Sequence, residues 1–81
     1  MSDRNLLARI TSSSNILAGK PTVRGTRLSV EFILNLLAHG ATESEIIAEY
    51  DGIVAEDLAA CLLFASKSLE NMVFMPLAEA A

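Results

Sequence analysis

Residues 29–52, SVEFILNLLAHGATESEIIAEYDG, contain two helix specifications back to back. Ser29 supplies a hydroxyl where a helix needs an N-cap, and Glu31 puts negative charge in the first turn, where the helix dipole favours it. Phe32, Ile33, Leu36 and Leu37 then recur at helical spacing. His39-Gly40 closes the segment, since glycine takes the left-handed conformation without a Cβ penalty. Thr42-Glu43-Ser44-Glu45 opens the second helix as a capping box, with Ile46, Ile47 and Tyr50 as its buried face and Asp51-Gly52 as its stop.

Downstream, a third helix is expected from Ala55 to about Asn71. Leu58, Cys61, Leu62, Ala65, Leu69 and Met72 form its apolar stripe, widened by Leu63 and Phe64. Its cap position holds Val54, which has no side-chain acceptor. An apolar tail follows, Met72-Val73-Phe74-Met75-Pro76-Leu77, broken by Pro76. Three short helices with tight turns have the proportions of a helix-turn-helix unit.

Upstream the pattern changes. Residues 9–30 are rich in Ser, Thr, Val, Gly and Pro. Arg9-Ile10-Thr11, Ile16-Leu17-Ala18 and Thr22-Val23 read as extended pieces, Ser12-Ser13-Ser14-Asn15 as a turn, and Arg27-Leu28-Ser29 as the lead into the first helix. Lys20 precedes Pro21 and is biased to extended backbone. The expected fold is therefore mainly α: an N-terminal β-ribbon or hairpin over 1–29, a three-helix, helix-turn-helix-like core of homeodomain or winged-helix type over 30–71, and an apolar tail over 72–81. Together these make one domain of 81 residues.

Charge is split along the chain. Residues 4–30 hold Arg4, Arg9, Lys20, Arg24 and Arg27 and no acid, whereas beyond residue 30 Lys67 is the lone base among nine acids. The net charge of −4 hides this polarity, which suits a basic surface meeting an anion or the acidic face of another copy. Hydrophobic residues make up 52% of a chain too small to bury them all, so a partner or homodimer interface is expected through Leu62, Leu69, Met72, Val73, Phe74, Met75 and Leu77. The alternatives to a homodimer are that the tail folds back on its own core or enters a partner's groove. No apolar run is long enough to span a membrane, and Leu6-Leu7-Ala8 is too short for a secretory core. One cysteine cannot form an internal disulfide, so a reducing cytoplasm is the default setting.

Catalysis and metal binding find no purchase. His39 at a helix end reads as a cap and Cys61 as a core residue, and one His with one Cys cannot hold a metal ion. A phosphate loop is absent, because Ser14 stands where its first glycine belongs and Pro21 follows Lys20. No nucleophile, base and oxyanion set assembles, so neither an enzyme nor a cofactor is expected. A helix-turn-helix reader would present the start of the third helix to DNA, but Glu56 and Asp57 there repel phosphates. If DNA is bound, Arg9, Lys20, Arg24 and Arg27 are the candidate contacts. For Arg24, phosphate contact and structural pairing stay equally open. Arg27, beside a glycine turn, reads first as a structural guanidinium.

The ordered elements Ile16-Leu17-Ala18-Gly19-Lys20-Pro21, Gly25-Thr26-Arg27-Leu28-Ser29-Val30 and Gly40-Ala41-Thr42-Glu43-Ser44-Glu45-Ile46-Ile47 resemble the family catalogued as domain of unknown function 433. The likeness covers about residues 9–68. It departs from the family at Val54, where a threonine cap is common, and residues 69–81 lie outside it. The resemblance implies a bacterial or archaeal β-ribbon plus trihelical protein whose relatives are read as VapB-type antitoxins paired with a PIN-like nuclease toxin; operator binding through the basic arm is the accompanying expectation. The alternative is a small homodimeric interaction module with no DNA role.

Overall fold

The computed structural model describes residues 2–74. The chain begins with a helix, α1 (Asp3–Leu7), and then β1 (Ile10–Thr11), a 3₁₀ turn (Leu17–Gly19) and β2 (Thr22–Val23). Three longer helices follow: α2 (Val30–Ala38), α3 (Glu43–Glu49) and α4 (Ala55–Ser68). The protein is thus mostly helical, with four helices and one antiparallel strand pair among the described residues.

The three later helices lie where the sequence puts them, for the local reasons it supplies. Ser29 Oγ accepts the Phe32 N–H at 2.9 Å. After His39, the Gly40 N–H donates to Leu37 O and the Ala41 N–H to Leu36 O, the paired closure of a Schellman motif, with Gly40 at φ +95°. Thr42 and Glu45 complete both halves of the capping box, at 3.2 and 2.8 Å. Those bonds from Thr42 hold the Glu45 carboxyl below its ordinary pKa.

The N-terminal segment differs from expectation in two places. Residues 3–7 form a helix, capped by Ser2 Oγ on the Asn5 N–H, where only a basic arm was expected. Leu6 and Leu7 are half-buried and α1 packs against α4, so tertiary contact makes a helix of a five-residue segment that would not persist alone. Residues 16–18 are not extended throughout: Ile16 is, but Leu17 and Ala18 take positive φ of 50° and 55° ahead of Gly19 at 87°. This left-handed turn closes through Gly19 N–H to Ile16 O and Lys20 N–H to Leu17 O.

β2 is flanked on both sides. Ile10 and Thr11 pair antiparallel with Val23 and Thr22, while Thr22 also bridges to Ser29. Val23 N–H to Leu28 O and Val30 N–H to Pro21 O continue that second side, so residues 21–30 fold as a hairpin with residues 24–27 at its tip.

The core is Val23, Val30, Ile33, Ile46, Ile53, Leu58 and Cys61, with Ile10, Leu34, Tyr50 and Phe64 packed around it. Ile46 is buried as expected, but Ile47 lies on the outer face of α3 at 36% exposure. Phe32 is also partly exposed, and its ring meets Tyr50 edge-on at 5.6 Å. α4 is the central helix, touched by α1, β1, α2 and α3, and it ends at Ser68 rather than near Asn71. No helix among the described residues is long and apolar enough to cross a membrane.

Candidate functional site

The hairpin tip is a self-contained turn. Thr26 N–H and Thr26 Oγ1 both donate to Val23 O, and Oγ1 accepts the Leu28 N–H at 3.0 Å. Gly25 sits at φ +82° with nothing within 4 Å of a Cβ built there, so backbone conformation alone calls for glycine. The Gly-Thr-Arg sequence is therefore a turn-building unit, and the residues it leaves free are Arg24 and Arg27. Both are exposed, and neither forms an ion pair among the described residues.

The other two candidate cations are already engaged. The Arg24 N–H donates to Arg9 O at 2.7 Å, which sets the two arginines across the strand pair from each other. Arg9 turns inward: its Nη1 reaches Asp57 Oδ1 at 3.1 Å. Lys20, on the stem of the hairpin, donates to Glu31 Oε1 at 2.8 Å, and this contact holds the Glu31 carboxyl below its ordinary range. Of the four basic candidates, two have carboxylate partners and two have none among the described residues.

Asp57 is the residue that sequence reasoning missed. It is only 5% exposed, and its two oxygens have separate tasks: Oδ1 accepts from Arg9, and Oδ2 accepts the Val54 N–H at 3.0 Å. Valine offers no side-chain acceptor, so α4 is capped by the reverse half of a capping box alone. The legible signal was the spacing itself, an acid three residues after an uncapped Val54. The partner, Arg9, is 48 residues away and has no local signature.

A second surface lies on the opposite chemistry. Leu62 and Leu69 on and just after α4 are exposed, as are Met72, Val73 and Phe74 beyond it. Met75 and Leu77, expected in the same interface, lie outside the described residues. Between α2 and α4 runs an apolar groove of about 590 Å³, with Leu69 forming part of its wall.

His39 is the C-cap of α2, and its Nδ1 lies 2.8 Å from Asn35 O. Cys61 is fully buried, and that burial, reinforced by the Asp57 charge, pushes its thiol up to about 11. Among the described residues no group of three His, Cys, Asp or Glu side chains is placed to hold a metal ion.

A family model described as "Protein of unknown function (DUF433)" matches residues 10–65. No curated protein matches the chain. The fold is similar to the crystal structure, at 2.00 Å, of a DUF433 member protein from Anabaena variabilis ATCC 29413, with a TM-score of 0.73 and 28% identity. The alignment covers 83% of this chain and 66% of that one, so the chain spans just under two thirds of that protein's length. The matched residues run from β1 into α4 and include both hairpin motifs, Gly19-Lys20-Pro21 and Gly25-Thr26-Arg27, which the Pro21–Val30 ladder joins in space. With the sequence model, the fold and these motifs in agreement, the chain belongs to the DUF433 family.

Proposed function

We propose that the protein is a cytoplasmic, antitoxin-like binding protein rather than an enzyme. It acts as a homodimer, neutralises a PIN-like nuclease toxin, and grips operator DNA through its hairpin tip. What supports the reading above all is the separation of two surfaces on one small domain: a glycine-turned hairpin carrying two unpartnered arginines, and an exposed apolar strip on α4 and the segment after it. Arginine on a rigid turn suits bidentate contact with phosphate, while the apolar strip suits protein association. The α3–turn–α4 pair then acts as a helix-turn-helix-like scaffold, not as a reader. Glu56 at the start of α4 repels phosphate, and Asp57 is committed to Val54 and Arg9.

The reading is tested by titrating the ribonuclease activity of a PIN-like nuclease encoded beside this protein. Cleavage is expected to fall to baseline at equimolar protein; full cleavage in the presence of excess protein overturns the antitoxin assignment. One observation favours the alternative of an interaction module without DNA binding. Arg9 and Lys20 are already neutralised by Asp57 and Glu31, which reduces the free charge of the arm to two arginines per chain.

A further inference from the structure

The groove between α2 and α4 is bounded by Leu34 and Ala38 on one side and by Phe64, Ala65 and Leu69 on the other, with Pro21 at one end. Its charged rim is the Lys20–Glu31 pair, which is neutral as a unit, so the groove suits an uncharged apolar segment. Such a segment is present on the same chain. Met72, Val73 and Phe74 are 65%, 87% and 80% exposed, three consecutive uncharged apolar residues standing in water.

The described part of this segment does not line its own groove. Past α4 the backbone turns through Glu70 N–H to Lys67 O and Met72 N–H to Leu69 O. Leu69 belongs to the groove wall, and the residues immediately after it stand clear of that groove with most of their surface exposed. Among the described residues, each copy therefore carries one uncovered apolar groove and one exposed apolar segment, in equal number. A two-fold pair covers both features at once: groove i receives segment j while groove j receives segment i, and nothing complementary is left over to propagate a fibre.

We propose that the α2–α4 groove receives the Met72–Phe74 segment of a second copy of this chain, reciprocally. This deepens the homodimer half of the reading above by naming the surface that joins the copies. It is independent of the DNA contacts at the hairpin tip.

Two measurements on the full chain test it. Sedimentation equilibrium is run on the wild type, on Ala38→Arg and on Phe74→Glu. Both substitutions fall at exposed positions, and an arginine in the last turn of α2 suits the helix dipole, so neither threatens the fold; far-UV circular dichroism checks this. A wild-type dimer with at least a tenfold weaker association constant in each variant is the expected result. Separately, Ala38→Cys protein and mass-tagged Phe74→Cys protein are mixed and oxidised, with the buried Cys61 left in place. The mixed disulfide is expected to dominate over either self-linked product, and the double variant is expected to link between chains.

A wild-type monomer would sink both the dimer and the exchange. A wild-type dimer that tolerates either substitution, or that gives no mixed disulfide, would overturn the exchange alone and leave the homodimer standing. A double variant that links within one chain would show the segment folded back on its own groove, which also overturns the proposal.

Discussion

Arg9 and Asp57 provide the sharpest energetic test, because removing either one leaves a different residue stranded. Arg9→Ala strands Asp57, a carboxylate only 5% exposed that keeps one hydrogen bond, from the Val54 N–H. Removing one partner of a fully buried pair costs about 3–5 kcal/mol; with Arg9 itself near one third exposed, about 2–3 kcal/mol is the reasonable expectation. Asp57→Ala strands less. Arg9 can turn its guanidinium to water, but the Val54 N–H loses the only side-chain acceptor at the start of α4, at about 1 kcal/mol, and the lost pair adds up to about 1 more. The order is thus Arg9→Ala above Asp57→Ala. The double substitution should cost about what Asp57→Ala alone costs, and less than Arg9→Ala, since the stranded carboxylate is gone. In a domain of this size each 1 kcal/mol moves Tm by about 4–8 °C, so Arg9→Ala should melt roughly 10–20 °C lower. Thermal melts followed at 222 nm, at one fixed protein concentration because association shifts Tm, measure all three. An Arg9→Ala protein that melts within about 2 °C of wild type would refute this account, since at about 4–8 °C per kcal/mol the pair would then contribute almost nothing. Arg9 would then be as available for phosphate as Arg24.

Three further outcomes follow from single residues. Ala18→Gly relieves a left-handed alanine, worth about 1–2 kcal/mol, against about 0.5–1 kcal/mol of added chain entropy, so urea unfolding should show a net gain of up to about 1.5 kcal/mol. Gly25→Ala meets no neighbour and should lose only about 1 kcal/mol in the same assay, all of it from φ; a much larger loss would mean that the tip packs against something. Cys61 should resist a disulfide reagent in the native protein at pH 8 and react fully once unfolded. Because its thiol titrates near 11 when folded and near 9 when unfolded, it binds its proton more tightly in the folded state. Its contribution to stability is therefore complete below about pH 9 and declines as pH rises toward 11. A Cys61→Ala protein should lack that alkaline decline.

The sequence was most informative where structure is local. Ser29, His39-Gly40 and the Thr42–Glu45 box each act within four residues, and each does in the fold what its chemistry dictates. Three features escaped it for physical reasons. α1 is too short to hold by itself and exists because α4 lies beneath it. Ile16-Leu17-Ala18 has extended-strand composition, yet Leu17 and Ala18 are turned left-handed, in a turn where Ser12 Oγ donates to Gly19 O. Asp57 reads as a phosphate-repelling acid at the start of the third helix, and the contact with Arg9 that occupies its other oxygen is 48 residues distant. At the candidate site the basic residues were identifiable by type and by their shared segment. Which of them are free was not, because Glu31 and Asp57 reach them only through the tertiary fold.

The central functional claim, that the hairpin tip grips phosphate, is tested most directly by the salt dependence of binding to the protein's own promoter DNA. Anisotropy titrations over roughly 50–200 mM salt give the slope of log K on log salt, and each phosphate contact contributes about −0.9. Arg24 and Arg27 from two copies would give a slope of about −4, and Arg24→Ala/Arg27→Ala should bring it close to zero. An unchanged slope in the double variant, or no binding at the lowest salt, would contradict the claim and place the protein's function in its apolar surface alone.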